Sequence, residues 1–174
     1  FVTPLSFTSS SELTTHLPTV LARGGGPGEL IAGTFRNELG FGGKVAEAAG
    51  TEADIFALRV DNGFAPWIFA THAEPIEPGN RLDLAAGFGL DGGAVVGGTI
   101  TGGLAKTNGV ALNAPHGSSD GYVLVIDDQG DPTLALYLGG ANEDQLRGLA
   151  ALPGGGFVAT GFFYETIDLN GEAS

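Results

Sequence analysis

The sequence predicts an all-β fold of the propeller kind: about three four-stranded antiparallel blades forming part of an incomplete ring. Three observations carry this. Four segments recur in the same order at spacings of 63 to 66 residues, each is short and rich in β-branched or aromatic residues, and the 174-residue chain holds 31 glycines as turn material.

The first recurring segment is Glu29-Leu-Ile-Ala-Gly-Thr-Phe35, matched by Gly93-Ala-Val-Val-Gly-Gly-Thr-Ile100 and Gly156-Phe-Val-Ala-Thr-Gly-Phe-Phe163. Alignment on Gly33, Gly98 and Gly161 gives spacings of 65 and 63 residues. The second is Asp54-Ile-Phe-Ala-Leu-Arg-Val-Asp61 with Asn62-Gly63, matched 66 residues later by Asp120-Gly-Tyr-Val-Leu-Val-Ile-Asp127 with Asp128-Gln-Gly130. A third opens on proline, at Pro4, Pro66 and Pro132, and a fourth on leucine, at Leu17, Leu82 and Leu146. The units run over about 4–65, 66–131 and 132–174, the last incomplete, within one repeat domain spanning 1–174.

Each segment is bounded by Gly, Pro, Asn or Asp, as strands are. In the Asp-led strand Phe56, Leu58 and Val60 share one face, and Ile55, Ala57 and Arg59 the other. Both faces are largely apolar, which predicts a sheet covered on both sides. Helix signals are weak: Lys44-Val-Ala-Glu-Ala-Ala49 is six residues long, ends at Gly50 and reads as a loop turn between strands.

Seven Lys and Arg against twenty Asp and Glu give a net charge of −13, spread along the chain, a surface that repels nucleic acid and anionic lipid. No apolar run approaches the ~20 residues of a membrane-spanning helix, so membrane insertion is not expected. Cysteine is absent, which removes disulfides and thiolate metal sites. The opening on Phe1 in mid-pattern, with no methionine in the chain, reads as a processed or cut start.

Two of these patterns, the strand from Gly156 to Phe163 and the strand-plus-turn from Asp54 to Gly63 and Asp120 to Gly130, resemble the bacterial extracellular β-propeller repeats called SBBP. The resemblance covers nearly the whole chain. It implies propeller blades on a secreted or cell-surface protein and says little about activity. Units of this length exceed the roughly 40 to 50 residues expected of a blade, and the surplus sits in Arg36 to Glu52 and Thr101 to Ser119. Such connections serve as binding loops or as plain spacers. The alignment gives eleven strands, too few to close a ring of at least about four blades. Further chain or partner subunits are therefore expected, because open strand edges invite pairing. The β-trefoil, also threefold, is the runner-up fold.

Several motifs invite a chemical reading. Gly117-Ser-Ser119-Asp-Gly121 has nucleophile-elbow spacing, but it leads into a strand and the first unit has Gly50-Thr-Glu-Ala-Asp54 in its place. Gly87-Phe-Gly89-Leu-Asp-Gly92 has dinucleotide-type spacing but opens a strand where a helix is required, so it reads as a turn. His16, His72 and His116 fall in inter-strand segments without zinc-ligand spacing. Asp127, Asp128 and Asp131 set three carboxylates around one turn and are the candidate calcium ligands. An Asx-Gly hairpin with no ion explains the same residues. Trp67, with Phe64 and Phe69 nearby, offers either a stacking surface or a core strand, the latter favoured by its repeat counterparts Phe7 and Leu134.

The expected function is a non-catalytic extracellular binding, adhesion or scaffold module without a cofactor, whose partners are further blades or subunits and a glycan or protein ligand. Two alternatives stand beside it: a structural subunit of a larger surface assembly, and a portion of a secreted enzyme whose active site other blades complete.

Overall fold

The computed structural model describes residues 20–22, 28–48, 54–73, 83–88, 92–100, 104–105, 118–152 and 155–167. Among these the fold is all-β, with antiparallel sheets and no helix. The Pro4 and Leu17 segments, His16 and His116 lie outside the described residues.

Sheet A joins β1 (Val20–Ala22), β2 (Glu29–Phe35), β5 (Asp54–Val60), β6 (Ile68–Ala73) and β9 (Leu104–Ala105) in that order. Sheet B joins β7 (Asp83–Phe88), β8 (Ala94–Ile100), β10 (Asp120–Ile126) and β11 (Pro132–Leu138). Sheet C pairs β12 (Gln145–Ala151) with β13 (Phe157–Phe162), and β3 (Glu38–Phe41) with β4 (Lys44–Glu47) form a separate hairpin. A and B share one register: Gly33 faces Phe56 and Phe35 faces Asp54, while Gly98 faces Tyr122 and Ile100 faces Asp120. Each sheet begins at the Leu-led strand, so the Pro-led strand closes a sheet, one step out of phase with units counted from proline.

The turns follow from their residues. Asp61 and Phe64 exchange both backbone hydrogen bonds around Asn62 and Gly63, whose φ values of 51° and 87° make a two-residue turn of the primed type. Between β10 and β11 the loop is one residue longer: the Asp127 N–H donates to the Asp131 carbonyl at 2.8 Å and Gly130 takes φ 92°. That extra residue shifts the pairing between Val125 and Ile126.

The period-two alternation of the strands builds four layers. Leu30, Ala32, Ile55, Ala57, Trp67 and Phe69 of sheet A pack on Ala94, Val96, Tyr122, Leu124 and Ile126 of sheet B. The opposite face of B, with Val95 and Val123, packs on Leu146, Leu149, Ala151, Phe157 and Ala159 of sheet C. The opposite face of A, with Ile31, Phe35, Phe56, Leu58 and Val60, is covered by Leu39, Phe41, Ala46 and Ala48 of the hairpin. Sheets A and B are thus buried on both faces, as their two-sided apolar pattern requires.

Two long connections differ from their sequence reading. Lys44–Glu47 is a strand and not a loop turn: Gly42 and Gly43, at φ 58° and 82°, reverse the chain, and the Ala48 N–H closes the hairpin on the Asn37 carbonyl at 2.7 Å. A short apolar stretch with glycines on one side and a buried face beneath it forms a hairpin more readily than six residues form a helix. In the second connection β9 pairs with β6, and the Leu104 N–H donates to the Tyr137 hydroxyl at 2.6 Å, tying sheet A to sheet B.

Candidate functional site

The residues with a chemical reading fall into three places. The first is the β10–β11 turn. Asp127 Oδ1 accepts the backbone N–H groups of Gln129 at 3.0 Å and Asp131 at 2.9 Å, so this oxygen organises its own loop. Among the described residues no group of three His, Cys, Asp or Glu side chains gathers in a metal-holding arrangement, and Asp127, Asp128 and Asp131 do not converge. The turn borders a shallow cleft of ≈ 470 Å³ between the hairpin and β6, with Lys44, Glu47, Trp67 and Asp131 on its walls. Trp67 is only 3% exposed and belongs to the core with Phe69, whereas Phe64 projects into solvent. Leu134, cited as a counterpart of Trp67, is 38% exposed, because sheet C has two strands and covers only part of the face it packs on.

The second place is the junction between sheets B and C. Ser119 is buried, its hydroxyl donates to the Asp144 carbonyl at 3.2 Å, and the Asp144 N–H donates back to the Ser119 carbonyl at 2.8 Å. No helix follows it, so the elbow geometry is not formed. Gly92, at φ 84°, sits in the β7–β8 turn ahead of a strand, as the turn reading of Gly87 to Gly92 expects. The Asp144 carboxylate is buried and accepts the N–H groups of Gly140 at 2.6 Å and Tyr164 at 2.9 Å, holding two loops together. Thr99 Oγ1 accepts the Leu146 N–H at 3.2 Å and completes the joint. His72 lies in β6 opposite Ala105.

The third place is the outer face of sheet C, which the sequence reading did not single out. Val158, Phe162, Phe163 and Tyr164 are exposed. Phe162 meets Tyr164 edge-on at 5.8 Å, and the Arg147 guanidinium lies 5.4 Å from the Phe162 ring centre. The signal was present: Val158 and Phe162 alternate with Phe157 and Ala159, so one face of a strand read as a blade element had to meet either a partner or water. An apolar face of this kind marks an interaction surface.

At the opposite joint, Arg59 pairs with both carboxylate oxygens of Asp61, at 2.8 and 3.2 Å, and its NH1 donates to the Gly92 carbonyl at 3.2 Å. A single guanidinium thus links a turn of sheet A to a turn of sheet B. The chain matches no protein-family model, and no curated protein matches it.

Proposed function

We propose that the chain is a run of β-propeller blades of the SBBP kind, serving as a non-catalytic binding and assembly module on a secreted or cell-surface protein. The observation that supports it most is the layering. Sheets A and B share strand order and register, and each passes one apolar face to the next sheet as neighbouring blades do. Sheet C, with two strands, reads as a blade in the making, and exposed Leu134 lies where its missing strands would pack.

The binding function is tested by thermal unfolding of the 174-residue chain against panels of glycans, acidic and basic peptides, and calcium. A binding module gives a concentration-dependent rise in melting temperature. A flat response to every panel overturns the binding half of the proposal. Calcium belongs in the panel because Asp127, Asp128 and Asp131 ring one turn. The assembly half draws on the exposed aromatic face of sheet C and predicts self-association or partner capture without small ligands.

A further inference from the structure

We propose that the free edge of β13 accepts an extended strand with an acid at its start and an aromatic two residues on, of the type Asp-x-aromatic-x-Leu, and that Gly161 and Phe163 set its register. In sheets A and B the second strand is flanked on both sides: β2 lies between β1 and β5, and β8 between β7 and β10. Among the described residues β13, the second strand of sheet C, pairs only with β12. Its other edge therefore presents unpaired backbone groups, the usual template for strand addition.

The two finished sheets define the occupant. In each, the neighbour of the second strand begins with a buried aspartate, Asp54 or Asp120, opposite Phe35 or Ile100. In each, an aromatic lies opposite the aligned glycine: Phe56 against Gly33 and Tyr122 against Gly98. In sheet A the ring so placed meets Phe35 edge-on, at 6.0 Å and 83°. The equivalent pair in sheet C is Gly161 and Phe163, and Phe163 is 52% exposed. A strand in this register sets its aromatic against the glycine, within reach of the Phe163 ring, and extends sheet C toward uncovered Leu134.

The chain's own Asp-led strands cannot serve a second copy, because β5 is held between β2 and β6 and β10 between β8 and β11. Residues 168–174, Asp-Leu-Asn-Gly-Glu-Ala-Ser, lack the aromatic and the alternation. The partner is accordingly a separate strand of the repeat's own type. The proposal rests on reading sheet C as an unfinished blade, and its test is independent of the ligand panels above.

The probe is a synthetic peptide of residues 53–62, added in excess to the 174-residue chain, with amide hydrogen exchange followed across the molecule. The expected result is slowed exchange in residues 157–162. Binding should fall about tenfold, the worth of one aromatic contact, for the peptide carrying Phe56→Gly and for the protein carrying Phe163→Ser. Phe163 is half exposed, so that variant keeps the fold. Absence of protection at β13, equal protection by a scrambled peptide, or protection that rises with protein concentration alone each overturns the proposal. The last of these would assign the edge to a second copy.

Discussion

At the scale of single residues, two buried polar side chains behave in opposite ways. Tyr122 is fully buried, its hydroxyl has no hydrogen-bond partner among the described residues, and burial pushes the phenol above its usual range. Removing such a hydroxyl abandons no bond, so Tyr122→Phe should be neutral or stabilise by up to ~1 kcal/mol in urea unfolding. The sign with pH follows. A raised folded-state pKa favours the folded form while the phenol is protonated, and that stability drains away as pH rises above the unfolded value of about 10. The wild-type chain should lose stability above that pH, and Tyr122→Phe should flatten this part of the profile. Asp144 is the reverse case: its carboxylate holds the Gly140 and Tyr164 amides from two loops, and Asp144→Ala should cost roughly 3 kcal/mol. Denaturant midpoints of the two variants, read side by side, separate an idle buried group from a working one.

At the scale of the strand, close approach decides what is allowed. A methyl on Gly97 would lie 2.6 Å from the Tyr122 carbonyl and 2.8 Å from Leu146 Cδ2, where β8 meets β12. Gly97→Ala should therefore destabilise the chain by about 1–3 kcal/mol and loosen the contact between sheets B and C, seen as faster amide exchange in β12. The strands themselves were legible in the sequence because their signal is local: Asp54–Val60 and Asp120–Ile126 carry period-two alternation, acid boundaries and Asx-Gly turns. β3 and β4 were not, since Lys44–Glu47 alternates weakly and is held as a strand by Phe35, Phe56 and Leu58 beneath the hairpin. β9 was illegible for the same reason, being two residues fixed by pairing with β6 and by the Tyr137 hydroxyl. The site was half legible. Residue types flagged Trp67 and the Asp127 turn, but exposure of Phe162 and Phe163 depends on which strands surround β13, and that is a property of the assembled sheets.

At the scale of the whole molecule, the hairpin acts as a lid on one end of the stack. Its inner side buries Leu39 and Phe41, while Lys44 and Glu47 face water. Replacing residues 38–47 with a two-residue turn should forfeit roughly 4 kcal/mol from those two side chains and bare Ile31, Phe35 and Phe56. Sedimentation velocity should then show concentration-dependent association of the shortened chain under conditions where the full one stays monomeric. The order of the faces has a further consequence. Sheet A meets B with the face that carries Ala57, and B answers with the face that carries Tyr122; toward sheet C, B presents Val123, which is the position of Ala57 one unit on. The contact is therefore polar in direction, donor face to acceptor face, and cannot be satisfied by a twofold axis. Copies joined through it must form cyclic rings or helical filaments and not isologous dimers, and electron microscopy of the lidless chain would show which closure its rotation permits.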